Sequence, residues 1–153
     1  MLLGIISDTH GLMRPEALDA LSRSAMIIHA GDVGEPAVLD RLRDLAPVVA
    51  VHGNIDRGSW AASLPQTALV AAGAYNIYVL HDLSRLAVDP LQANVAVVVY
   101  GHSHKPAIET RHGIIYLNPG SAGPRRFRLP ITLARLTVSA TSLYPEIVPL
   151  PIA

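Results

Sequence analysis

The sequence predicts an α/β fold in which two β-sheets pack against each other with helices outside. Three observations carry that expectation. The first third alternates short apolar runs with stretches of helical period, the pattern of a βαβαβ unit. The rest is dense in short strand-like runs separated by Gly, Pro and Asn. Half of the 153 residues are hydrophobic and the mean hydropathy is +0.35. That is enough for the interior of a single domain spanning residues 1–153.

Leu2–Ser7 is an apolar run and reads as a central strand buried on both faces. Pro15–Ser24 follows as a helix, with Ala17, Leu18, Leu21 and Ala25 at helical spacing and Pro15 in the first turn. Met26–Ala30 is the second strand and ends at Gly31-Asp32. Glu35–Leu45 reads as a second helix with Val38, Leu39, Leu42 and Leu45 on one face, and Pro47 blocks its continuation. Val48–Val51 is the third strand, ending at Gly53-Asn54. This order predicts parallel strands with right-handed crossovers and all their C-termini on one edge. Further strands are expected at Thr67–Ala71, Asn76–Leu80, Val95–Tyr100, Ala107–Thr110, Ile114–Leu117, Thr132–Val138 and Thr141–Val148. Ser84–Ala93 reads as a short helix or an irregular crossover. The tail Tyr144–Ala153, with three prolines, is expected to be extended on a surface or a partner.

Composition narrows the function. Twelve basic residues balance twelve acidic ones, a balance that gives no evident nucleic-acid surface. The absence of cysteine excludes disulfides, thiolate metal sites and cysteine nucleophiles, so any metal must be held by nitrogen and oxygen. No apolar run is long enough to span a bilayer, and the N-terminus lacks the basic flank of a signal peptide. A soluble cytoplasmic protein is expected, with the positive hydropathy pointing to a homo-oligomer, dimer or higher, that buries an apolar face.

Six polar clusters stand at or just after the ends of the apolar runs. They are Asp8-Thr9-His10, Gly31-Asp32, Gly53-Asn54, His81, His102-Ser103-His104 and Asn118-Pro119-Gly120-Ser121. Asp, His and Asn suit borderline-hard divalent ions, and strand ends aim side chains rigidly. Asp8 and His10, two apart, project to one side of extended backbone and could chelate one ion. Alone, Asp32 reads as a helix N-cap, Gly53-Asn54 as a turn and His81 as a core histidine. The pair His102 and His104 is stronger, since two imidazoles directly follow the very apolar run Val95–Tyr100. The joint occurrence of all six at strand ends points to a site for two ions.

That ordered set, extended by Gly11 and Ile55-Asp56, resembles the calcineurin-like metallophosphoesterases from Leu2 to about Arg126. It is most similar to the small single-domain YfcE-like phosphodiesterase group. The resemblance implies a four-layer αββα sandwich, two mixed β-sheets flanked by helices. It also implies a phosphodiesterase that hydrolyses a small phosphodiester with a bridging hydroxide nucleophile between two divalent ions, most often manganese, with iron, zinc, nickel or cobalt in other members. Asp8, His10 and His104 would hold the first ion, Asn54, His81 and His102 the second, and Asp32 would bridge both. Asp32, Asn54, His81 and Asp56 form the expected catalytic set, with Asp56 orienting its neighbours or else capping the next segment.

Several positions depart from the family pattern. Ile55 stands where larger relatives carry a histidine thought to assist the leaving group. It cannot donate a proton, which predicts a preference for substrates with good leaving groups. His52 replaces a frequent arginine, and Asp82 a frequent glycine after His81. Arg125 and Arg126 could reach a phosphate oxygen or could be surface charge. His29 and His112 read as structural or exposed. Two other readings share the fold: a protein-binding scaffold of the retromer-subunit type, whose ligand positions are degraded, and a phosphomonoesterase with the same ligands. All seven ligand positions here hold residues able to bind metal, which favours catalysis.

Overall fold

The computed structural model describes residues 1–152 of the chain. Ten strands form two five-stranded sheets. The first sheet has the order β10-β9-β1-β2-β3, built from β1 (Leu2–Ile6), β2 (Met26–His29), β3 (Val48–Ala50), β9 (Thr132–Val138) and β10 (Leu143–Pro149). The second has the order β4-β5-β6-β8-β7, from β4 (Thr67–Ala72), β5 (Tyr75–Leu80), β6 (Val97–Val99), β7 (Ala107–Arg111) and β8 (Ile114–Asn118). Each sheet contains three adjacent parallel strands, β1-β2-β3 in one and β5-β6-β8 in the other. The edge-side neighbours β9, β10, β4 and β7 pair antiparallel.

β1 alternates its side chains between two apolar interfaces, as an inner strand must. Leu3 and Ile5 point between the sheets, where they meet Val79, Val97, Val99 and Leu117. Ile6 points the other way, into a second cluster with Ala17 and Leu21 of α1 (Pro15–Leu21) and Val38, Leu39 and Leu42 of α2 (Pro36–Arg43). Both helices open on proline, whose fixed φ and missing N–H suit the first turn. α2 starts one residue later than the periodicity predicts, with Glu35 as its N-cap, so Asp32 does not cap it. A four-residue helix, α3 (Ser59–Ala62), was not expected: so short a segment has no period to read.

The outer face of the second sheet is covered more lightly. Leu80, Val98 and Ile114 are buried there by Leu83 and Leu86, from a single 3-10 turn (Leu83–Arg85) and the crossover after it. The Ser84–Ala93 segment is therefore the irregular crossover, and the fourth layer of the sandwich is reduced to a turn and loop. The proline-rich tail is an edge strand on β9, where Pro145 and Pro149 are tolerated, and Leu150 beyond it is buried. Among the described residues, no helix is long and apolar enough to cross a membrane.

Candidate metal centre

The two parallel triplets end facing one another, and their C-terminal ends carry the polar clusters. The inner strands β1 and β6 supply Asp8-x-His10 and His102-x-His104, flanked by Asp32 after β2, Asn54 after β3 and His81 after β5. Asp8, His10, Asp32, His102 and His104 all adopt left-handed backbone, with φ between 49° and 73°. Only three other non-glycine residues among those described do so. Each such position costs free energy, and such outliers concentrate at functional sites. Asp8 and His10 thus converge through left-handed turns, not through the extended backbone expected from their spacing.

The two aspartates are arranged alike. Asp8 is fully buried, and its Oδ2 accepts from the Ser7 hydroxyl (2.7 Å) and the His102 N–H (3.2 Å). Its Oδ1 is left facing His104 Nε2 at 3.4 Å, His81 Nε2 at 3.8 Å and His10 Nε2 at 3.9 Å. Asp32 Oδ1 accepts from the Ile55 N–H (3.1 Å), and its Oδ2 faces His81 Nε2 at 3.3 Å and His10 Nε2 at 3.4 Å. Each carboxylate is therefore held by one oxygen and presents the other to a ring of imidazoles. Ile55, whose side chain offers no chemistry, contributes through its backbone amide.

These close approaches are poorly aligned as hydrogen bonds. Asp8 Oδ1, His10 Nε2 and His81 Nε2 are buried atoms with no directed partner. Buried polar atoms are ordinarily satisfied, and these three, set among one another, fit a site able to hold a cation. Two ligand groupings meet the distance requirement, Asp8-His10-His104 and Asp8-Asp32-His81. His81 Nδ1 donates to Ala30 O at 2.7 Å, which directs the lone pair of the neutral ring's Nε2 at the aspartates. The His102 ring stands edge-on to His81, centroids 5.2 Å apart, and the His10 and His104 rings are also 5.2 Å apart. The two histidines of His102-x-His104 thus part, one toward each side. Asn54 is exposed and lines, with His81, His52, Gln66, Thr67 and Arg85, a cleft of about 550 Å³.

The site's charges are mutually adjusted. Burial disfavours the Asp32 carboxylate, but His81, the Ile55 amide and His10 outweigh it and hold its pKa down to about 2. Burial likewise works against protonated His81, and Asp32 and Asp8 more than offset it, so its pKa is raised. His104 is lowered, chiefly by burial, with Asp8 opposing.

A layer of supporting residues holds the loops. Asp56 accepts from Gly34 N and Gly53 N, both at 2.9 Å, so it joins the β2 and β3 loops and its oxygens are turned to backbone rather than to the ligand cluster. Asn118 donates to Gly101 O and Ser103 Oγ and accepts from Gly120 N. Ser121 Oγ donates to Asp8 O. His29 is completely buried under the ligand loops, where Nδ1 accepts from Gly31 N at 3.1 Å and Nε2 donates to Thr9 Oγ1 at 3.0 Å; Thr9 passes the chain to Val33 O. Burial lowers its pKa to about 4. Gly101 leaves room for this packing, since a Cβ there would strike the Ser7 hydroxyl and lie 2.7 Å from Asp8 Oδ2. Sequence reasoning missed Ser7, whose hydroxyl bonds the adjacent Asp8, and the Ile55 amide and the His29–Thr9 pair, whose roles depend on contacts across strands. His112 lies exposed beside the β7–β8 turn, and Asp82 caps the 3-10 turn through Ser84.

The model of the calcineurin-like phosphoesterase superfamily domain matches residues 1–141. The "Probable metallophosphoesterase" of Methanothermobacter thermautotrophicus is 34% identical over 97% of this chain and 92% of its own. Wild-type Vps29 of Entamoeba histolytica, solved in complex with zinc, is 26% identical, with a TM-score of 0.76 over 97% of this chain and 99% of that one. An archaeal phosphodiesterase shares the fold at 22% identity, with a TM-score of 0.80 over 97% and 100% of the two chains.

Proposed function

The chain belongs to the calcineurin-like phosphoesterase superfamily, and on that premise we propose that it is a metal-dependent phosphodiesterase working with two divalent ions. The observation that carries this reading is the pair of half-free carboxylates, Asp8 Oδ1 and Asp32 Oδ2, set among histidine nitrogens that have no directed partner. Asp8, His10 and His104 would hold one ion, Asn54, His81 and His102 the other, and Asp32 both. The ligands are all nitrogen and oxygen, which is compatible with manganese, the ion the family resemblance implies most often, and equally with iron, zinc, nickel or cobalt. Zinc in the Entamoeba Vps29 structure supports the view that this fold accepts such ions.

Bound there, the ions would supply Lewis-acid activation of water and neutralisation of phosphoryl charge. The chain's own residues prepare for it. Ser7, His102 N–H and Ile55 N–H lock the aspartates, and Ala30 O sets the His81 tautomer. The cleft at Asn54 and His81 is roomy enough for one substituent of a diester. With Ile55 in place of a proton donor, substrates with good leaving groups turn over fastest.

The test is a panel of aryl phosphodiesters and monoesters assayed with each candidate metal, beside an Asp32→Ala control. The expected result is metal-dependent turnover favouring diesters. Asp32→Ala should reduce it by more than the roughly 10–100-fold typical of a residue that merely supports a ligand. Monoester preference would move the assignment to a phosphomonoesterase. Likeness to Vps29 favours a second reading, a protein-binding scaffold, and metal binding without turnover of any ester would support it.

A further inference from the structure

Chain-wide neutrality hides a local concentration of charge. Three of the twelve basic residues, Arg125, Arg126 and Arg128, lie within four positions, and the fourth is Phe127, the only phenylalanine in the chain. All four are exposed, Phe127 at 87%. The backbone turns here, with Leu129 N–H donating to Arg126 O at 3.2 Å, and Phe127 sits in the turn at φ 54°. The fold neither buries this ring nor relaxes its backbone, so folding alone gives no reason for it.

The loop grows directly from the metal centre. Gly123 packs against the backbone of Asp8 and Thr9, Ser121 bonds Asp8 O, and Arg14 donates to Gly123 O at 3.1 Å. The cleft lined by His52, Gln66, Thr67 and Arg85 opens on the Asn54 and His81 side. The candidate ions therefore lie between a basic aromatic loop anchored on Asp8 and Thr9 and a polar cleft at His81.

We propose that this loop binds single-stranded nucleic acid, with a base stacked on Phe127 and the arginines on flanking phosphates, so that the strand crosses the metal centre. The substrate class would then be a single-stranded polynucleotide, an inference that rests on the phosphodiesterase reading for its catalytic half. Single strands expose flat base faces and dense negative charge together, which matches one exposed aromatic ring among guanidinium groups. A duplex hides its base faces and would leave Phe127 unused. A phosphodiester polymer also supplies the bond that the neighbouring site is proposed to cut.

The experiment is fluorescence anisotropy of a labelled oligothymidylate titrated with the full chain in EDTA, where no cleavage occurs and binding is read independently of metal. Diester turnover with manganese, measured separately, tests the catalytic reading. Wild type should bind, Phe127→Ala should weaken binding by about tenfold, and Phe127→Trp should restore it. Arg125→Ser and Arg128→Ser should each lower the slope of log affinity against log salt by about 0.7. Phe127→Leu separates base stacking from membrane insertion, because it keeps the apolar bulk and loses the aromatic face. Absence of binding, or binding indifferent to Phe127→Ala, overturns the proposal. So does capture by anionic phospholipid vesicles that survives Phe127→Leu while the oligonucleotide fails to bind.

Discussion

Asp8 and Asp32 each divide a carboxylate between the protein and an open position, and His29 holds the loops that carry them. His29 gives a sign-definite prediction. Its pKa is about 4 folded against 6.5 in an exposed chain. Between those values the unfolded state binds a proton that the folded state refuses. Stability from this group is therefore complete above pH 6.5 and is lost as pH falls toward 4, by on the order of 3 kcal/mol in all. Urea unfolding of metal-free protein near neutral and mildly acidic pH measures it. His29→Gln should be less stable near neutrality, and its loss of stability on acidification should be shallower than wild type's. The residue types of the site were legible in the sequence, because Asp, His and Asn after apolar runs are a chemical pattern. The partition of each carboxylate was not, because the His102 amide and the Ile55 amide meet the aspartates only after β1, β3 and β6 are assembled.

At the scale of the element, the β1, β2 and α2 assignments followed from periodicity, since a strand buried on both faces and an amphipathic helix each leave a clear apolar record. The left-handed turns at Asp8, His10, Asp32, His102 and His104 left none, because backbone sign is imposed by packing against the opposite loop. That packing is testable. Gly101→Ala would push a methyl group against Ser7 and the Asp8 carboxylate. Overpacking of this kind costs about 1–3 kcal/mol, and displacement of Asp8 should also weaken manganese binding measured by calorimetry. Asp56→Ala would leave the Gly34 and Gly53 amides unpaired. About 1–3 kcal/mol for the buried Gly53 donor, and less for the half-buried Gly34, is the expected loss in denaturant unfolding. Turnover should fall through loosening of the β2 and β3 loops, with metal affinity reduced less than by Asp32→Ala.

Over the whole molecule, the two sheets bring together chain segments that are nearly a hundred residues apart, as the His102 N–H to Asp8 bond shows. The ligand cluster exists only in the folded state, so ions that bind it must stabilise the fold. At a free manganese concentration about a hundred times the dissociation constant, the gain is about 2.7 kcal/mol, and EDTA should reverse it in a thermal melt. The measurement that bears most directly on the central claim is anomalous diffraction from crystals grown with manganese. Two peaks about 3.5–4 Å apart, with the Asp32 carboxylate between them, are expected. A single peak, or peaks remote from Asp32, would contradict it.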